Sequence, residues 1–211
     1  MPLAASDLRT WIRTFAERVE EERAYLTKLD AAIGDGDHGQ NLHRGLSAAV
    51  ENFDDSNSDL TDTMRSVAMA LISKTGGASG PLYGTFFMDL SKRASGKNHL
   101  DVADVAAMFR SGLEGVQRRG KAELGDKTMV DALTPAVEAL EDAATHEQSL
   151  QEALEAAVEA AEDGMEATTP MQARKGRASY LGERSKGHQD PGATSSYHLV
   201  AAAADAWSNA S

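Results

Sequence analysis

Apolar positions along this chain return at three-, four- and seven-residue intervals, the spacing that keeps side chains on one side of an α-helix. Leu8, Trp11, Ile12, Phe15, Val19, Leu26 and Leu29 form one such stripe, and Leu150, Leu154, Val158, Ala161 and Met165 repeat the rhythm late in the chain. Glu152, Glu155, Glu159 and Glu162 line another face of that late helix and read as a solvated surface. The pattern predicts helices over 6–30, 39–53, 59–74, 80–95, 101–119, 127–143, 148–166 and 192–208. Ser6, Asp59 and Asp190-Pro191 supply start signals for the first, third and last of them. No β-branched alternating run of useful length appears, so the fold class is all-α. Residues 1–211 form a single domain in this reading, an antiparallel bundle or barrel of about eight helices joined by short connections.

Apart from a few inside helices, the glycines gather at 34–39, 76–84, 112–125 and 176–192, around the connections after predicted helices one, three, five and seven. In an up-and-down bundle, alternate connections lie at the same end. Four Gly-rich, polar loops therefore converge there, and that end is the candidate site.

Composition narrows the chemistry. Among 211 residues, 41% hydrophobic and 26% charged, the balance is that of a folded globular protein. The net charge of -12 repels nucleic-acid phosphate. Cysteine is absent, which excludes disulfides, zinc–thiolate and iron–sulfur sites, and thiol catalysis. Neither a transmembrane run nor a signal h-region is visible, and a cytoplasmic protein with no membrane partner is the expectation.

The stretch "LDAAIGDGDHGQNLHRG" places Asp30, Asp35 and Asp37 close together among glycines. Gly34 to Gly39 matches the dinucleotide fingerprint G-x-G-x-x-G, but it follows a helix rather than a strand. An EF-hand fails because Gln40 stands at its sixth position and Leu46 at its twelfth. Gly115 to Lys121 approaches a P-loop, spoiled by Ala122. A solvated Asp-Gly turn and a carboxylate site both remain. If the chain reverses at Gly34 and Gly36, three carboxylates share one space, where they repel unless a hard cation joins them. Mg²⁺ suits a few carboxylates plus substrate phosphate oxygens.

Two further stretches favour the second reading. In "SKTGGASGPLYGTFF", Ser79-Gly80 open a helix whose free N–H groups attract phosphate, although a plain flexible connection has the same composition. Arg174, Lys175, Arg177, Arg184 and Lys186 make a cationic loop in an otherwise acidic protein. Phosphate held between metal and cations is what phosphoryl transfer requires. His38 either meets phosphate, accepts it, or holds local structure.

Taken in order, "GDGDHGQN", "GGASGPLYGTFF", "RGKAELGDKTMVDAL" and "MQARKGRASYLGERSKGHQDPGATS" resemble the L-subunit family of dihydroxyacetone kinases, of the phosphoenolpyruvate-dependent type, from Asp30 to Ser195. The resemblance implies an eight-helix barrel with ADP or ATP and two Mg²⁺ ions at one end. It assigns Asp30, Asp35 and Asp37 to the metals. His38, Gly39, Gln40 and Asn41, with Ser79 and Gly80, meet the phosphates. Gly120 and Met129 border the adenosine, and Arg177 with Asp190, Pro191 and Gly192 closes over the phosphates. No covalent nucleophile is expected in this chain. The implied partners are a separate K subunit carrying dihydroxyacetone and an M subunit whose phosphohistidine recharges ADP to ATP. Two alternatives stay open: an L subunit using freely exchanging ATP, and a phosphohistidine carrier without nucleotide.

Overall fold

A computed structural model describes residues 2–208. In chain order the α-helices are α1 (Ala5–Glu21), α2 (Arg23–Ile33), α3 (His38–Glu51), α4 (Leu60–Lys74), α5 (Ser79–Arg93), α6 (Val102–Gly120), α7 (Met129–Thr145), α8 (Leu150–Ala167) and α9 (Pro191–Trp207), with a kinked 3-10 segment (Arg177–Ser185) before α9. Apart from α2, each helix packs on the next, and α9 returns to α1. Eight helices thus close into a barrel. The only bridge between extended residues among those described joins Leu3 to Leu100.

Most helix starts follow local chemistry. Asp59, Asp101, Thr128, Ser149 and Asp190 each accept a hydrogen bond from a backbone N–H two or three residues on, and Pro191 fills the first position of α9. The first helix departs from expectation twice. Its cap is Ala4, not Ser6, and the Ala4 amide donates to Asp7 Oδ2 at 2.7 Å. It also bends at Glu22, where ψ is 7°, while the 18→22 and 22→26 backbone bonds persist. The apolar spacing continues across that bend, so periodicity carries no sign of it.

The barrel interior is aromatic. Trp11 is fully buried and sits 5.4 Å from Phe109, 5.5 Å from Phe87 and 5.1 Å from Trp207, ring centre to ring centre. Its indole N–H donates to the carbonyl of Leu199 at 2.9 Å. Several glycines at the edges of the glycine clusters, Gly84, Gly112 and Gly115 among them, lie inside helices, as the predicted helix bounds require. They serve close approach: a methyl group at Gly112 would collide with Phe86 and Leu90 of α5. Glu152, Glu155, Glu159 and Glu162 are all exposed, as a solvated face should be. Among the described residues no helix is long and apolar enough to cross a membrane.

Candidate functional site

Four connections meet at one end of the barrel: 34–37, 75–78, 121–128 and 168–190. All four contribute to one cavity of about 380 Å³. Alternating up and down helices makes this convergence necessary once the first, bent helix pair counts as one rod.

The acidic loop forms the polar floor. Carboxylate oxygens of Asp30, Asp35 and Asp37 lie within 4.8 Å of one another. Asp30 is the buried anchor: its Oδ2 accepts the amides of Asp37 at 2.8 Å and His38 at 3.1 Å, which fixes the start of α3. Gly34 is confined by it, since a methyl group there would overlap the Asp30 carboxylate. Gly36 turns the chain at φ +74°, a conformation that suits glycine. Across the mouth, Arg177 Nη2 reaches Asp35 Oδ2 at 3.1 Å, a half-exposed ion pair and one natural counter-charge for the trio. Asp30 Oδ1 and the other two carboxylates supply hard oxygen donors without a protein-filled coordination sphere, which fits a divalent cation that also takes water and phosphate.

The remaining residues singled out in the sequence divide into two groups. His38, Ser79, Gly120, Met129, Arg177, Asp190, Pro191 and Gly192 line the cavity. Gly39, Gln40, Asn41 and Gly80 do not. Gly39 presses against Arg23 of α2, and Gly80 against the Thr75 carbonyl. Asn41 is buried beneath Gly76 and accepts a bond from Arg44 at 2.7 Å. Gln40 is exposed. What Gly39, Gln40 and Gly80 offer is main chain, since amides in the first turn of a helix have no acceptor within it, whereas the Asn41 amide donates to the Asp37 carbonyl at 2.9 Å. Of the cationic loop, Lys175 and Arg177 line the cavity, whereas Arg174, Arg184 and Lys186 do not.

His38 is locked on both sides. Its Nδ1 is 3.0 Å from Ser79 Oγ and its Nε2 is 2.9 Å from Ser195 Oγ, which also meets Tyr83 Oη at 2.7 Å. Burial lowers the imidazole pKa, against the opposing pull of Asp30 and Asp37. Burial pushes the Tyr83 hydroxyl up to about 12, so it stays protonated. A phosphoryl group could join His38 only by breaking one of these bonds.

Sequence reasoning passed over Lys127 and the environment of Asp190. Lys127 is 1% exposed, and its ammonium donates to the carbonyls of Met171, Ser185 and His188 at 3.1, 2.6 and 2.5 Å. No spacing pattern reveals it, because all three acceptors are main-chain oxygens. Burial raises the Asp190 carboxyl to about 7, helped by nearby Asp131 and opposed by Lys127 and the amides of Ala193 and Gly192. A raised acid binds its proton more tightly folded than unfolded. That contribution is complete below the ordinary value of 3.8 and is lost as pH climbs to about 7. In urea unfolding across that window, Asp190→Asn should lose less stability with rising pH than wild type. A difference on the order of 3 kcal/mol is expected, and parallel pH profiles would refute the assignment.

Comparison with known proteins identifies the family. The family model described as DAK2 domain matches residues 32–205. The PEP-dependent dihydroxyacetone kinase, ADP-binding subunit DhaL, of Escherichia coli (strain K12) is 46% identical over 196 residues, covering 92% of this chain and 93% of the relative. The PTS-dependent dihydroxyacetone kinase, ADP-binding subunit DhaL, of Lactococcus lactis is 43% identical over 190 residues, 90% of this chain and 91% of the relative. The crystal structure of the dihydroxyacetone kinase from C. freundii in complex with AMP-PNP and Mg2+ superposes with a TM-score of 0.72 at 25% identity over 97% of this chain. Only 34% of that longer chain is matched.

Proposed function

This chain belongs to the DAK2-domain family, and we propose that it is the nucleotide-carrying subunit of a phosphoenolpyruvate-dependent dihydroxyacetone kinase. One observation carries the reading. Three carboxylates within 4.8 Å stand in the same cavity as two helix N-termini and Arg177. The relatives named as ADP-binding subunits, and a structural neighbour holding AMP-PNP and Mg²⁺, support it.

In this proposal Asp30, Asp35 and Asp37 hold two Mg²⁺ ions, which when bound neutralise nucleotide phosphate charge and polarise the phosphoryl group for transfer. The chain's own residues bind and orient. The His38 to Asn41 turn and the Ser79-Gly80 turn meet the phosphates, the Gly39, Gln40, Ser79 and Gly80 amides donating to phosphate oxygens while the His38 and Asn41 amides are held by Asp30 and the Asp37 carbonyl, and each N-terminus adds a partial positive charge. Ser79, fixed by His38, presents its hydroxyl to the same region. Arg177 exchanges its carboxylate partner for phosphate and offsets charge on the transferring group. Gly120 and Met129 border the adenosine, and the Asp190-Pro191-Gly192 turn closes with Arg177 over the phosphates. Catalysis by this chain is positioning and electrostatics, with no covalent nucleophile.

The acceptor is dihydroxyacetone on a separate K subunit, and a phosphohistidine on an M subunit returns a phosphoryl group to the retained ADP. The whole chain, residues 1–211, acts as one cytoplasmic domain in this cycle. Gentle purification followed by mass spectrometry should reveal bound ADP, and labelled ADP in excess should replace it slowly compared with turnover. Rapid replacement would instead assign the chain to a kinase drawing on free ATP. No binding of ADP or ATP in excess Mg²⁺ would overturn the proposal.

A further inference from the structure

We infer that Lys127 is a positioning residue whose buried ammonium, held by the carbonyls of Met171, Ser185 and His188, organises the 168–190 loop and so sets where Lys175 and Arg177 stand at the cavity mouth.

That loop has almost no apolar interior. Between Thr169 and Gln189 only Ala173 and Ser185 are buried, so hydrophobic contact does not explain its order. Its order comes from polar bonds. Ser185 Oγ accepts the Ala173 amide at 2.9 Å and donates to the Gly182 carbonyl at 2.6 Å, and the Gly187 amide donates to the Thr169 carbonyl at 2.8 Å. Lys127 sits at the centre of this network. An ammonium has three donors, and each meets a carbonyl contributed by a different part of the loop. All three being used, the ammonium is not free to bind phosphate itself. Its role is to hold what does.

The protein tolerates strain to place it. Lys127 adopts φ +63°, in the left-handed region that a side chain other than glycine rarely visits. Asp131 holds the backbone there by accepting the amides of Gly125 at 2.6 Å and Thr128 at 2.7 Å. A second tie runs from the Arg174 amide to the Asp126 carbonyl at 3.0 Å. The 121–128 connection is therefore a rigid post, and the 168–190 loop is hung on it. The shape of the cage also explains the residue type. Three converging carbonyls suit a compact ammonium, whereas a planar guanidinium with five donors leaves some unpaired.

The test uses the full-length chain with Lys127→Ala and Lys127→Arg. Without nucleotide, amides of 169–189 in both variants should exchange with deuterium about tenfold faster or more, while α1 and α5 keep their protection. Adding n-propylammonium, which replaces the atoms missing in Lys127→Ala, should restore slow exchange, and tetramethylammonium, which has no donor, should not. The significance for nucleotide rests on the proposed function and is read separately: ADP release from both variants should quicken by about tenfold or more. Loop exchange and ADP release within twofold of wild type would overturn the inference, as would a Lys127→Arg protein with wild-type values of both. Should the variants not fold, ¹⁵N NMR of the wild-type lysine ammonium decides. A slowly exchanging Lys127 signal is expected, and a solvent-averaged one refutes the cage. If wild type itself fails to bind ADP, the proposed function falls while the exchange experiment still judges the latch.

Discussion

Asp35→Asn is expected to abolish Mg²⁺-dependent nucleotide binding while leaving the fold intact. Among the three aspartates it is the cleanest position to change. Asp30 cannot be altered without disturbing α3, because its Oδ2 accepts the Asp37 and His38 amides that start the helix. Asp35 is exposed and its one ion pair, with Arg177, is open to solvent. Such pairs contribute about 0–1 kcal/mol, and removing one of three carboxylates within 4.8 Å also relieves repulsion. The melting temperature of the ligand-free variant should therefore equal or slightly exceed that of wild type. Binding is a different matter. Loss of even an outer partner of a metal ligand weakens a metal site by about 10–100-fold, and loss of a ligand itself should reach the upper end or beyond. If the proposed site binds it, ADP with Mg²⁺ at a hundred times its dissociation constant should add about 2.7 kcal/mol to the stability of wild type. In Asp35→Asn that increment should vanish, together with the calorimetric heat. A variant that binds ADP as wild type does, with the same dependence on Mg²⁺, would remove the carboxylate trio from the mechanism.

The largest stability loss is expected at the other end of the barrel interior, with Trp11→Ala. Trp11 is fully buried, contacts three aromatic rings and donates to the Leu199 carbonyl. Truncating a buried Trp costs about 3–5 kcal/mol through lost burial and the cavity left behind. The lost indole bond to the Leu199 carbonyl adds to that cost. For a chain of this size about 5 kcal/mol corresponds to a fall of ~10–20 °C in melting temperature, and it consumes much of a typical total of 5–15 kcal/mol. Urea and thermal unfolding followed by circular dichroism measure it. A loss below about 2 kcal/mol would mean that the surrounding helices collapse into the space. Trp11 does not line the cavity, so any surviving folded Trp11→Ala protein should bind Mg²⁺ and ADP with nearly unchanged affinity. The two substitutions thus separate folding from binding.

Much of the candidate site was readable because it follows from order along the chain. Asp30, Asp35 and Asp37 are near neighbours in sequence, and a reversal at Gly36 suffices to gather them. Asp59 and Asp190 cap their helices through bonds spanning three residues, so their signals are local as well. The convergence of four loops required only helix count and alternation. The bend at Glu22 escaped because it changes one dihedral angle without changing the apolar period. The cap at Ala4 escaped because the bond that starts α1 runs backwards, from the Ala4 amide to Asp7.

The amino-acid sequence by itself determined the helical class, the end of the barrel that carries the cavity, and the residue types that face it, since each rests on interactions between positions close in the chain. Only the tertiary structure decided that the eight rods close through α1 and α9, that Arg177 stands across from Asp35, and that Lys127 is sheathed in carbonyls. Those pairings join residues 142 or 58 positions apart, or whole helices from opposite ends of the chain, and the oxygens around Lys127 belong to the backbone, which is the same whatever side chains surround it.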